Sequence, residues 1–265
     1  MPWLSSPIRL ADHRRKPTAA AILAVLAATT LAGCSSVAAP SAGQAQTYAG
    51  KANLAARDLP AGWKSSGAPD TSVTRSTLPR SQAKTVTAVL GGLPPSCRSL
   101  DAVFTTALLG AAPPGAVAQD QADFHSTTEG AEIASTVAVL GSTSGSWAIV
   151  ASYASPAFVP CLQAFLGGTL TRVFDVSSAA VSVVRSSVPQ PPAGVVATAF
   201  SISQSGIQSG SRPSVSSSEE VVLQSGKALG FLEAGSPTSA LPAGTADALD
   251  QAASAVAHRL LSPPK

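Results

Sequence analysis

Val215–Gln224 (VSSSEEVVLQ), Ser225-Gly226 and Ala228–Glu233 (ALGFLE) together form the stretch that decides the fold. Two runs of strand length, rich in β-branched and large apolar residues, flank a short turn signal, which is the pattern of a β-hairpin. Upstream, Val195 to Ser203 alternates through Val196, Phe200 and Ile202, and Val173 to Val188 is rich in valine. Both read as strands. Further back, Val117 to Ser126 sets Ala118, Ala122 and Phe124 on one side and Gln119, Gln121, Asp123 and His125 on the other. Ala131, Ile133, Val137 and Val139 alternate in the same way after a Thr-Glu-Gly turn, so these two runs predict a second hairpin.

Helical spacing surrounds the strands. Ala246, Leu249, Ala253, Val256 and Leu260 recur at three and four residues, with Thr245 expected as the cap and Pro263-Pro264 as the stop. Ser81–Leu90 and Cys97–Leu109 read as two helical pieces separated by Gly91–Pro95, which puts Cys97 at a helix start. Ser146–Leu166 reads as helix broken by Pro156 and Pro160. Leu59–Gly62 is a turn that delivers Trp63 to the core. The order predicts an α+β domain, a curved antiparallel sheet with helices packed mainly on one face.

Near the N-terminus, Arg9, Arg14, Arg15 and Lys16 precede an apolar run, Thr18–Leu31, that ends in Leu31-Ala32-Gly33-Cys34. A basic start, a short apolar run and small residues before a cut are the parts of a secretory signal peptide. The run falls short of the roughly 20 residues that a spanning helix needs. Leu-Ala-Gly-Cys resembles the lipobox of bacterial lipoproteins, which implies cleavage before Cys34 and acylation of its sulfur, palmitate being the expected chain, and often of the new N-terminus. Cys34 is therefore the expected lipid anchor, holding the protein on the outer face of the cytoplasmic membrane. Arg14-Arg15 keeps twin-arginine export beside the general secretory route. The predicted organisation is signal peptide 1–33, flexible tether 34–50 rich in small and polar residues, and a single extracytoplasmic domain 51–265.

The signal peptide also accounts for the formal charge of +3. Four basic residues and one acid, Asp12, precede Cys34, so thirteen charges of each sign remain after it. A neutral chain with no basic cluster gives nucleic acid nothing to hold. With 45% hydrophobic but only 5% aromatic residues, the core has to be built mainly from Ala, Val and Leu. Cys97 and Cys161, an even pair in an exported chain, are expected to form a disulfide. They lack the Cys-x-x-Cys spacing of a redox centre and the neighbouring ligands of a zinc site.

Catalytic patterns are sparse. Ser81 and Lys84 match Ser-x-x-Lys, but the partner motifs Ser-Asp-Asn and Lys-Thr-Gly are absent downstream, and a serine after Pro79 is more simply a cap. Gly141–Gly145 has the glycines of a nucleophile elbow around Thr143, which fits a strand-to-helix turn instead. Asp123 and His125 share one face of a strand, the arrangement of an acid/base pair and equally of a solvated surface. His258 is the other histidine after Cys34. No cofactor or metal pattern appears, and the catalytic expectation is none.

The succession of a strand ending near Leu140, the Trp147 helix, Cys161 in the next helix, a Val/Ala strand, a strand ending near Gly206, the Val221–Lys227 turn and a last helix ending His258-Arg259-Leu260 resembles the PknH-like extracellular sensor domain family of mycobacterial kinases and actinobacterial lipoproteins. It covers Ala55 to Leu260. The resemblance implies an α+β domain with a ligand-accepting groove; that family usually carries two disulfides, whereas this chain has one pair. The PsbP-like fold of other actinobacterial lipoproteins has the same ingredients. The expected function is a non-enzymatic, sensor-like binding module with a groove between sheet and helices, its partner a small apolar ligand or an envelope protein. A cell-envelope hydrolase and a purely structural envelope protein are the alternatives.

Overall fold

The computed structural model describes residues 41–71, 80–101, 103–104, 112–173, 176–188, 190–208 and 213–262. The expected signal peptide and Cys34 lie outside the described residues.

Helix α1 (Ala42–Ala52) occupies part of the stretch expected to be a flexible tether. A capping box starts it: the Gln44 N–H donates to Ser41 Oγ (3.2 Å) and the Ser41 N–H donates to Gln44 Oε1 (2.9 Å). Ala45, Ala49 and Ala52 are buried, and the Tyr48 hydroxyl donates to the Leu260 carbonyl at 3.0 Å. Small residues spaced by three and four let this helix lie close on the sheet. Read as composition alone, the same residues resemble a linker.

A short Ala56–Asp58 turn leads to strand β1 (Trp63–Ser65). Helix α2 (Arg80–Gly91) and a 3₁₀ turn (Pro95–Leu100) precede the hairpin β2 (Ala116–Ser126) and β3 (Glu132–Leu140). Helices α3 (Thr143–Ala154) and α4 (Phe158–Val173) follow, then strands β4 (Val176–Ser186), β5 (Val196–Gln208), β6 (Pro213–Ser225) and β7 (Ala228–Ser236), and helix α5 (Ala243–Leu260). All the strands form one antiparallel sheet in the order β1-β2-β3-β7-β6-β5-β4, so β7 inserts its whole length beside β3. The α+β, antiparallel reading is what the structure has.

Its helices, however, cover both faces. Helices α1 and α5 pack with Phe124, Ile133, Val137, Val221, Leu223 and Leu232. On the other face, α2, α3 and α4 pack with Ala138, Leu140, Phe200, Ile202, Val222 and Leu229. The cause is visible in β6, where Val221, Val222 and Leu223 are consecutive and all buried. Such an unbroken apolar run belongs to a strand covered on both sides.

Local differences have simple causes. The β6–β7 loop is Gly226-Lys227, one residue later than the turn signal, with Gly226 at φ +54° in the first loop position, a left-handed conformation that glycine adopts without strain. Pro160 does not break α4, because it lies in the first turn, where no helical N–H is needed. Cys97 lies in the 3₁₀ turn rather than at an α-helix start. Helix α5 starts earlier than Thr245, whose hydroxyl instead donates to the Glu129 carboxylate in the β2–β3 turn. Among the described residues, no single helix is long and apolar enough to cross a membrane.

Candidate functional site

The few aromatic residues are concentrated on the α3/α4 face. Phe104 stacks on Phe165 at 5.0 Å, Phe158 lies 4.8 Å from Phe200, and Tyr153 lies 4.7 Å from Phe158 and 6.2 Å from Phe231. Beside this cluster, between α3 and β7, is a cavity of about 270 Å³. Phe231 and Tyr153 line it together with Ala148 and Ile149 of α3, Val103 and Pro113. Pro114 and Ala148 stand exposed at its lip. The volume is near the lower end of the range for small-molecule sites, roughly 300–1,000 Å³.

Three devices hold α3 over this cavity. Its N-terminus is capped by Ser142 Oγ, which accepts from the Gly145 N–H at 3.1 Å. Ser146, fully buried, donates to the Gly226 carbonyl at 2.6 Å and ties α3 to the β6–β7 loop. Its C-terminal carbonyls at Tyr153 and Ser155 accept from the Arg185 guanidinium at 2.9 and 2.8 Å, where a cation complements the negative end of the helix. Cys97 and Cys161 are joined (S–S 1.99 Å), fastening the 3₁₀ turn to α4.

Behind Tyr153 lies an acidic pair. Glu220 of β6 and Glu233 of β7 are directly opposite in the register, on the face that α3 and α4 cover. Glu220 is buried (7% exposed), and the Tyr153 hydroxyl donates to its carboxylate. Burial, with the Glu233 charge next, pushes the Glu220 carboxyl up to about 7, and burial also raises Glu233. Tyr153 is raised by burial and then by Glu220. Arg185 does not neutralise the pair: its guanidinium lies over the Phe200 ring (5.1 Å), one strand away.

The other residues singled out from sequence are scattered. Asp123 and His125 share the polar face of β2 near the β1 edge, outside the cavity lining. His125 Nδ1 faces Ser66 Oγ at 3.3 Å, and Gln121 Nε2 donates to Asp123, whose carboxyl is raised by burial. Lys84 is exposed on α2, while the Ser81 side chain lies outside the described residues. Thr143 is the first residue of α3, in the capped strand-to-helix turn, and His258 is exposed near the end of α5. Among the described residues, no group of three acidic, cysteine or histidine side chains is placed to hold a metal. Sequence reading missed Tyr153, Phe231, Glu220 and Glu233. The one available signal was Glu220 itself, two residues before Val222 and therefore on the same face of a strand.

No protein-family model matches the chain, and no curated protein matches it. Among solved structures, it is similar to the extracellular domain of PknH from Mycobacterium tuberculosis, with 9% identity and a TM-score of 0.38, covering 80% of this chain and 96% of that one. This is the resemblance that the order of elements indicated. The likeness is weak.

Proposed function

We propose that this protein is a membrane-tethered, extracytoplasmic, non-enzymatic module that binds a small apolar ligand in the cavity between α3 and β7. The cavity carries the reading: an apolar floor at Phe231, an aromatic wall at Tyr153 and an open lip at Ala148 form a concave site of ligand size. The lipobox at Cys34 and the bonded cysteine pair support an extracytoplasmic, lipid-anchored location. The lining is apolar apart from Ser99, Ser152 and the Tyr153 hydroxyl, so apolar burial supplies the affinity and polar groups do little to select among ligands. A sensor-like role follows if occupancy shifts α3, whose two ends are tied to the β6–β7 loop and to Arg185.

The test uses N-phenyl-1-naphthylamine, a probe that fluoresces in apolar sites. Its emission should rise on titration with the wild-type chain and fail to rise with Ala148→Trp, which fills the lip from an exposed helix position. Equal responses from both proteins would place the binding elsewhere and remove this reading.

A further inference from the structure

Among the described residues, four exposed large apolar side chains gather at one end of the sheet, Val117 (45% exposed) at the start of β2, Trp147 (50%) in the first turns of α3, Val196 (36%) at the start of β5 and Leu261 (37%) after α5, while Ile207 and Val215 lie at the other end and Val184 on β4. The antiparallel register brings the starts of β2, β5 and β7 to the same end as the finishes of β3, β4 and β6. Helix α3 begins there, directly after β3, and Leu261 reaches it beside Gly194, where an added Cβ would meet its Cδ2 at 3.1 Å.

Trp147 is turned away from the cavity. At 100° per residue, Ser146, Val150 and Tyr153 face the sheet, Gly145, Ala148 and Ser152 face the cavity, and Trp147, Ala151 and Ala154 form the remaining flank. That flank is exposed, apolar and uncharged. The connections at this end, 112–115, 141–142, 190–195, 226–227 and 261–262, contain one charged residue, Lys227. Acidic residues Glu129, Glu132 and Asp247 lie toward the opposite end, around the β2–β3 turn and the start of α5, while Asp250 borders the 190–192 connection.

An apolar end with a tryptophan, Lys227 and the exposed His258 at the finish of α5 has the chemistry of a bilayer interface, where Trp settles at headgroup depth and cations meet anionic lipid. The covalent path adds a constraint. Six residues separate Cys34 from the Ser41 cap, seven Cα–Cα steps with a reach of at most about 25 Å. So short a lead keeps the start of the domain within about 25 Å of the surface that holds the lipid. Resting on the reading of Cys34 as the anchor, we propose that the end bearing Val117, Trp147, Val196 and Leu261 is seated on the lipid bilayer, leaving the cavity side of α3 open.

Natural tryptophans make the test direct, because Trp63 lies at the opposite end of the sheet, opposite Ser126. With Trp3 removed along with the signal peptide, the processed chain carrying either Trp63→Phe or Trp147→Phe reports on one end at a time. Each variant is extracted from its own membranes and returned to vesicles of brominated phosphatidylcholine with a minority of phosphatidylglycerol. Mass spectrometry of the N-terminal peptide first establishes acylation of Cys34. Trp147 emission should then be quenched at least about twofold relative to unbrominated vesicles, and Trp63 emission left nearly unchanged. Acylated protein with equal quenching at both tryptophans, or with none at Trp147, overturns the seating alone. Absence of acyl mass on Cys34 overturns the anchor, and the seating falls with it.

Discussion

Replacing Glu220 by glutamine should make the protein more stable at neutral pH and leave it nearly unchanged in acid. In the folded state the Glu220 carboxyl titrates near 7, against an ordinary value of 4.5, because burial and the facing Glu233 disfavour its charge. Below about pH 4.5 it is protonated in folded and unfolded chains alike and costs nothing. Between 4.5 and 7 the unfolded chain releases the proton while the folded chain retains it, so stability falls as pH rises. Above 7 both forms are ionised and the penalty is complete, about 3 kcal/mol at 1.36 kcal/mol per pH unit. Glutamine keeps an acceptor for the Tyr153 hydroxyl and never ionises. Urea unfolding at pH 4 and pH 8 measures it: the variant should gain up to about 3 kcal/mol over wild type between the two. Glu233 faces Glu220 and remains in both proteins, so the difference reads Glu220 together with its coupling to Glu233. A wild type-to-variant difference that is the same at both pH values would refute the reasoning, whatever its sign.

Removing both Cys97 and Cys161 opens a closed loop of 64 residues and should cost about 4 kcal/mol in the chain-entropy model, read as a lower urea midpoint. A loss below about 1 kcal/mol would mean that the bond constrains little. Asn53→Ala removes the donors to the Asp120 carboxylate (2.7 Å) and the acceptor for Ser135 Oγ (2.6 Å), all buried. Stranding these groups should cost about 3 kcal/mol and raise hydrogen exchange throughout α1; unchanged exchange there would show that α1 is not fastened through Asn53.

The sheet was legible because its strands announce themselves locally. Val215–Glu233 is a hairpin by composition and turn alone, and the β2–β3 hairpin alternates cleanly. The placement of helices on both faces was not, because the polar side of β2, with Gln119, Gln121 and Asp123, reads as solvent-facing until other strands of the same sheet are known to be covered. Helix α1 escaped notice for another reason. Its apolar stripe is alanine, one tyrosine apart, and alanine marks a helix only once a partner surface exists to bury it. The candidate site was the least legible part, since it is assembled across distant segments: Pro113 before β2, Ala148 and Tyr153 on α3, Phe231 on β7. No spacing in the chain records that juxtaposition. A groove between sheet and helices was expected, but its lining had to come from the fold.

Non-denaturing mass spectrometry of the chain purified from its own membranes, wild type beside Ala148→Trp, tests the central claim most directly. The account predicts a wild-type population carrying the added mass of one small apolar molecule, lost in the variant while its fold and disulfide persist. The same added mass on the two proteins, none on either or the same molecule on both, would contradict it.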